Sequence, residues 1–154
     1  MELILWRHAD AEIGEPDPGR QLTPRGEKQA RRVAEWLHAR LPDTTRVLVS
    51  PAARAQQTAR ALLDLAPRTI KTIDEIAPGA SVAELLAAVD WPRSRVPVLV
   101  VGHQPTLGAV AAALLSGQDQ DWAVKKGGVW WLSSRERGDV DQVVLRAVIN
   151  PDLV

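Results

Sequence analysis

The chain has no cysteine, no tyrosine and no phenylalanine, and its six aromatic residues are all tryptophan. Without thiols there is no disulfide, no thiolate nucleophile and no cysteine-bound zinc or iron–sulfur centre. Lysine plus arginine and aspartate plus glutamate each number 19, so the formal net charge is zero. That balance argues against broad electrostatic binding to nucleic acid or to an anionic membrane, while leaving room for a local basic pocket. No apolar run approaches the roughly 18 residues of a membrane span. The first residues are apolar but too few for a signal peptide, and no basic segment precedes them. These absences lead to the expectation of a cytoplasmic protein that binds neither nucleic acid nor membrane. Trp130-Trp131 lacks the interleaved Arg or Lys of a base-stacking surface and is expected to pack in a core or interface.

What is present fits one domain over residues 1–154, of ordinary composition and large enough for a real core. Residues 2–7 read as a buried strand, and Ala9 to Leu22, with Gly14, Pro16, Pro18 and Gly19, as a loop. Thr23-Pro24 is a cap followed by a first-turn proline. The helix it opens carries Ala30, Val33, Ala34, Leu37 and Leu41 on one face and is expected to stop at Pro42. Residues 46–50 make a second strand. Ser50-Pro51 repeats the cap-then-proline start of a helix that Pro67 should end. Thr69 to Ile73 is a short third strand, and Ser81 with Glu84 forms a capping box for a helix to about Val89. Val96 to Val101 is apolar throughout, as in a central strand covered on both faces. A helix around Leu107, Val110, Ala111, Leu114 and Leu115 closes at Gly117, and a polar loop occupies 118–126. Two last strands, 128–133 and 142–148, are joined by a turn around Arg137-Gly138-Asp139. Strands alternating with helices, then a strand pair, predict an α/β sandwich with a mixed sheet.

Three strand ends carry chemistry. The first strand ends in Arg7-His8, the second leads through Ser50-Pro51 to Arg54, and the central one ends in Gly102-His103. Parallel strands would bring all three to one carboxyl edge, where open α/β folds bind ligands. Two arginines and two histidines there suit a dianion. Phosphoryl transfer explains the mixture, because fixed donors around the equatorial oxygens lower its barrier. A neutral imidazole is a competent nucleophile when a backbone carbonyl holds its other nitrogen. The second histidine could serve as a charged donor. The helix starts at 52–54 and 105–107 could add backbone N–H groups.

The segments 5–11 (Leu-Trp-Arg-His-Ala-Asp-Ala), 22–26 (Leu-Thr-Pro-Arg-Gly), 47–59 (Val-Leu-Val-Ser-Pro-Ala-Ala-Arg-Ala-Gln-Gln-Thr-Ala) and 100–105 (Val-Val-Gly-His-Gln-Pro) occur in this order. Together they resemble the histidine phosphatase superfamily, also called phosphoglycerate mutase-like, and within it the short SixA-type phosphohistidine phosphatases. The resemblance implies a three-layer α/β/α sandwich with a six-stranded, mixed, mostly parallel sheet. It implies that His8 becomes phosphorylated, that Arg7, Arg54 and His103 bind the phosphoryl group, and that neither metal nor organic cofactor takes part. Ala9 stands where many relatives have Gly, which narrows the backbone freedom beside the nucleophile. Glu75 falls where many members carry a proton donor; the alternative is a solvated loop carboxylate. Asp10 is a second candidate donor, or simply a turn-capping residue.

The expected activity is a metal-independent phosphatase with a phosphohistidine enzyme intermediate. Its expected substrate is phosphohistidine on a signalling or phosphotransfer protein, because the connection after Asp74 is too short for an inserted lid. A phosphatase of small phosphorylated metabolites and a non-catalytic phosphate-binding adaptor are the alternatives; a mutase fits an open site less well. His38 reads as a surface histidine, and Lys125-Lys126 as a solvated loop or a docking element.

Overall fold

The computed structural model describes residues 1–138 and 140–154. Its elements are β1 (Glu2–Arg7), α1 (Pro24–His38), β2 (Arg46–Val49), α2 (Ala53–Leu63), β3 (Ile70–Thr72), α3 (Val82–Ala88), β4 (Val98–Gly102), α4 (Thr106–Ser116), β5 (Val129–Arg137) and β6 (Val140–Ile149). Short 3-10 turns occupy Asp17–Gly19, Asp74–Ile76 and Pro151–Leu153. The strands form one six-stranded sheet in the order β3-β2-β4-β1-β5-β6. β1, β2, β3 and β4 pair in parallel, and β5 is antiparallel to both β1 and β6.

Side-chain alternation along the strands builds two cores. Ile4, Trp6, Val47, Val49, Leu99 and Val101 pack with Val33 and Leu37 of α1 and Ala55, Ala59 and Leu62 of α2. The intervening residues Leu3, Leu5, Leu48, Val98 and Val100 pack with Leu85 of α3 and with Leu107 and Val110 of α4. The fold is therefore a three-layer α/β/α sandwich, with α1 and α2 on one face and α3 and α4 on the other. Burying one such Leu, Ile or Val is worth about 1.5–3 kcal/mol, against a few tenths for most helix-propensity differences. Packing, more than propensity, holds the helices in place.

The helix ends depart from the expectation at several points. Thr23 caps α1 as the sequence predicts, its hydroxyl accepting from the Gly26 N–H at 2.9 Å. The helix ends at His38, before Pro42, yet Leu41 stays buried as its N–H bonds to the Leu37 carbonyl. Helix α2 ends at Leu63, so Pro67 lies in the connection beyond it. At its start the cap position is Ala52, not Ser50. A single Ser-Pro pair could not reveal that the Ser50 hydroxyl has a partner, His103, just past the end of another strand. The capping box of α3 forms, and Gly117 ends α4 at a left-handed φ of 74°. β5 and β6 run past the expected 128–133 and 142–148, because Arg135 and Glu136 continue the ladder through backbone groups that hydropathy does not report. The expected turn around Arg137-Gly138-Asp139 includes Asp139, which lies outside the described residues.

The sheet order positions the site. β1 and β4 are neighbours, but the helix after β1 lies on one face and the helix after β4 on the other. Chains leaving adjacent strands toward opposite faces open a crevice at the carboxyl edge.

Candidate active site

The register of the central strands brings the expected residues together. Arg7 pairs with Gly102, and the His8 N–H donates to the Gly102 carbonyl at 3.0 Å. Val49 pairs with Val101, and the Ser50 N–H donates to the Val101 carbonyl at 3.1 Å. Ser50, His103 and His8 thus leave three adjacent strands at the same level. The His8 and His103 ring centroids are 5.1 Å apart. Arg54 reaches the same point from the first turn of α2, its Nε donating toward His8 Nε2 at 3.4 Å.

All three of His8, Arg54 and His103 are buried. His8 Nδ1 lies 2.8 Å from the Ala9 carbonyl, which assigns the proton to Nδ1 and leaves the Nε2 lone pair facing Arg54. Burial lowers the His8 pKa to about 4, helped by the Arg54, Arg7 and Arg20 charges and opposed by the Ala9 hydrogen bond. His103 falls to about 3, chiefly by burial and then through its His8, Arg54 and Arg7 neighbours. Both rings are neutral at pH 7. Burial, with the His8 and arginine neighbours, disfavours a second proton on the His103 ring, and a bound anion would favour it.

Other groups hold this cluster from outside. Arg54 donates to the Asp17 carbonyl at 3.0 Å and to Asp17 Oδ2 at 3.3 Å. The Asp17 carboxylate is also held by Arg20 at 3.1 Å, so the Asp17–Gly19 turn clamps the Arg54 guanidinium. The Ser50 hydroxyl lies 2.7 Å from His103 Nε2. Thr58 Oγ1 accepts from the Ala9 N–H at 3.0 Å and donates to the Arg54 carbonyl at 2.7 Å, tying the His8 segment to α2. Arg7 donates to the Val124 carbonyl at 2.8 Å. Its Nε and His103 Nδ1 are buried without hydrogen-bond partners. Buried polar atoms are normally satisfied, so two orphans at one strand edge suit a polar ligand such as an oxyanion.

The two carboxylate candidates are placed differently. Glu75 is exposed on its 3-10 turn, and among the described residues it forms no hydrogen bond or ion pair with the cluster. Asp10 bonds to Lys126 Nζ at 2.9 Å and accepts from Thr23 Oγ1 at 2.8 Å. These contacts hold its carboxyl below the usual range, so Asp10 is an ionised anchor and a poor proton donor. His38 is exposed, as expected. Trp131 is buried and Trp130 packs beside Trp122, in keeping with the core reading of that pair. Among the described residues no three His, Asp or Glu side chains come together as a metal site, and no helix is long and apolar enough to cross a membrane.

The sequence reading missed Asp17, Ser50 and Thr58 as parts of the site. Thr58 did leave a signal: it lies four residues after Arg54 in the otherwise alanine- and leucine-lined stripe of α2.

The neutral rings set an acid limit on stability. Unfolded, each histidine takes up a proton near its ordinary value of 6.5; folded, they do so only at about 4 and about 3. This contribution to stability is present above pH 6.5 and is lost as the pH drops through this window, by up to about 8 kcal/mol for the two rings together. Asp10 and Asp17, also lowered, lose their contributions only below the ordinary 3.8. The urea midpoint should fall from pH 6.5 downward with an unchanged m-value, and His103→Gln should flatten the slope. An equal slope in that variant would contradict the buried neutral rings.

The sequence profile of the histidine phosphatase superfamily (branch 1) matches residues 3–82. The phosphohistidine phosphatase SixA of Escherichia coli K12 is 32% identical over 123 residues, covering 77% of this chain and 76% of that protein. A Mycobacterium tuberculosis protein of uncharacterised function is 38% identical over 121 residues, covering 77% and 75%. A structure of the protein histidine phosphatase SixA complexed with tungstate superposes with a TM-score of 0.80 at 28% identity, covering 99% of both chains.

Proposed function

The chain belongs to the histidine phosphatase superfamily and is a phosphatase, and from that premise we propose that it removes phosphate from phosphohistidine on a signalling or phosphotransfer protein. The proposed nucleophile is His8 Nε2. The observation that carries this role is the pairing of His8 Nδ1 with its neighbouring carbonyl, which leaves a neutral Nε2 lone pair aimed at the guanidinium of Arg54. Arg54, Arg7 and His103 would hold the phosphoryl oxygens, supplying the positive charge without a metal ion. The tungstate bound by the SixA relative, a tetrahedral oxyanion, supports a phosphoryl pocket of this kind.

In the first step the Nε2 lone pair attacks phosphorus in line. A bond to His8 forms as the bond to the substrate imidazole breaks; the electron pair returns to the departing nitrogen, and that ring leaves neutral with its proton on the other nitrogen. In the second step water attacks phosphorus, the bond to His8 breaks, and inorganic phosphate leaves with the ring again neutral. His103, held neutral chiefly by burial, can donate one ring N–H to a phosphoryl oxygen, and the negative charge of the phosphoryl group favours a second proton on that ring. An imidazole leaves readily from phosphorus, so the exposed Glu75 is needed as proton donor only for oxygen leaving groups.

The protein substrate is supported by the likeness to SixA and by the connection from β3 to α3, whose only helical element is the Asp74–Ile76 turn. A panel of a phosphohistidine protein and sugar phosphates tests it. The phosphoprotein should be preferred by at least about 100-fold in kcat/KM. Metabolite turnover near ~10⁵ M⁻¹s⁻¹ with an inert phosphoprotein would reassign the substrate.

A further inference from the structure

Beside the site runs a groove of about 500 Å³ that the phosphatase reaction does not use. Its cations are Arg25, Lys28 and Arg32 from α1 and Lys125 and Lys126 from the loop before β5. Its carboxylates are Asp10 and Asp152. Five cations against two carboxylates give a local excess of three in a chain whose total is zero. Lys126 is neutralised by Asp10. Arg25, Lys28, Arg32 and Lys125 are exposed and have no carboxylate partner among the described residues.

Helical spacing makes the stripe. Positions 25, 28 and 32 lie three and four residues apart, on one side of α1. The groove is joined to the site through one side chain and one backbone pair. Gln29 accepts from the Asp10 N–H at 2.9 Å, and the Gly127 N–H donates to the His8 carbonyl at 3.0 Å. Gly127 has a φ of 71° and lies so near Pro151 and Gln29 that a side chain there would fill the floor.

We propose that this groove docks an acidic segment of the protein substrate, next to the residue whose phosphate enters the His8 site. The inference rests on the protein-substrate reading above. Distribution of charge favours a peptide. Arg25 to Arg32 spans about 10 Å along the helix, the length of roughly three extended residues, whereas a single phosphate draws donors to one point. The groove lining contains no aromatic side chain, so it offers no platform for nucleotide bases.

The test uses a labelled glutamate-rich peptide that carries no phosphate, titrated against the whole chain by fluorescence anisotropy. Binding is expected at about 0.05 M salt and should weaken at about 0.15 M. The Lys28→Glu/Arg32→Glu double variant should bind at least about tenfold more weakly, with unchanged p-nitrophenyl phosphate turnover and unchanged melting temperature. Absence of binding, or equal binding by the variant, overturns the proposal. So does ATP binding through these residues while the peptide does not bind, which would make the groove a small-polyanion site. Because the probe lacks phosphate, peptide binding with an inert phosphohistidine protein supports the groove and overturns only the substrate reading.

Discussion

Replacing His8 by alanine is expected to lower kcat/KM by at least about 10⁴-fold and to abolish trapping of phosphate on the protein. Nothing else at the strand edge can take over as nucleophile. The Ser50 hydroxyl is fully buried and engaged with His103 Nε2, and His103 is assigned to a phosphoryl oxygen. The cations remain, so the oxyanion should still bind. The loss should fall on kcat, with KM and inhibition by inorganic phosphate changed only a few-fold. A phosphoramidate survives base and is cleaved by acid, so a base quench during turnover should trap label on the parent chain and none on the variant. Activity within tenfold of the parent, or label retained without His8, would place the nucleophile elsewhere and dissolve the proposed mechanism.

The sequence made much of this arrangement legible because strand ends are local features. Leu3 to Trp6 and Val98 to Val101 announce buried strands, and Arg7-His8 and Gly102-His103 announce where they stop. The parallel register of β1 and β4 then makes the two rings neighbours with no further information. The clamps on Arg54 and His103 were hidden for a different reason. Asp17 sits among prolines and glycines and Ser50 precedes a proline, so a turn and a helix cap already accounted for them. Their actual partners, Arg54 and His103, lie 37 and 53 residues away. A residue with a sufficient local explanation gives no sign of a distant one. The cationic stripe of α1 was readable in spacing, but its meaning needed Lys125 and Lys126 beside it. That requires the loop before β5 to cross the end of β1, where Gly127 meets the His8 carbonyl.

The same loop underlies the second large effect, expected for Gly108→Ala. In the interior of an exposed helix this change stabilises by up to about 1 kcal/mol. Gly108 lies in α4 at ordinary helical angles, so propensity alone predicts a gain. Packing predicts the reverse. A Cβ at this position would overlap the Trp122 carbonyl and come within 2.9 Å of Gln104 Nε2, which itself donates to that carbonyl at 2.8 Å. Backbone on one side and a hydrogen-bonded amide on the other leave no flexible chain end to yield. Overpacking of this kind costs about 1–3 kcal/mol and sometimes more, enough to outweigh propensity. The displaced segment includes Val124, which is buried and whose carbonyl anchors Arg7. Activity should therefore fall with stability, and KM for phosphoryl substrates should rise as Arg7 loses its anchor. Thermal melting and steady-state kinetics of the single variant check both outcomes. A raised melting temperature with parental KM would show that the loop moves aside cheaply and that Arg7 does not depend on it.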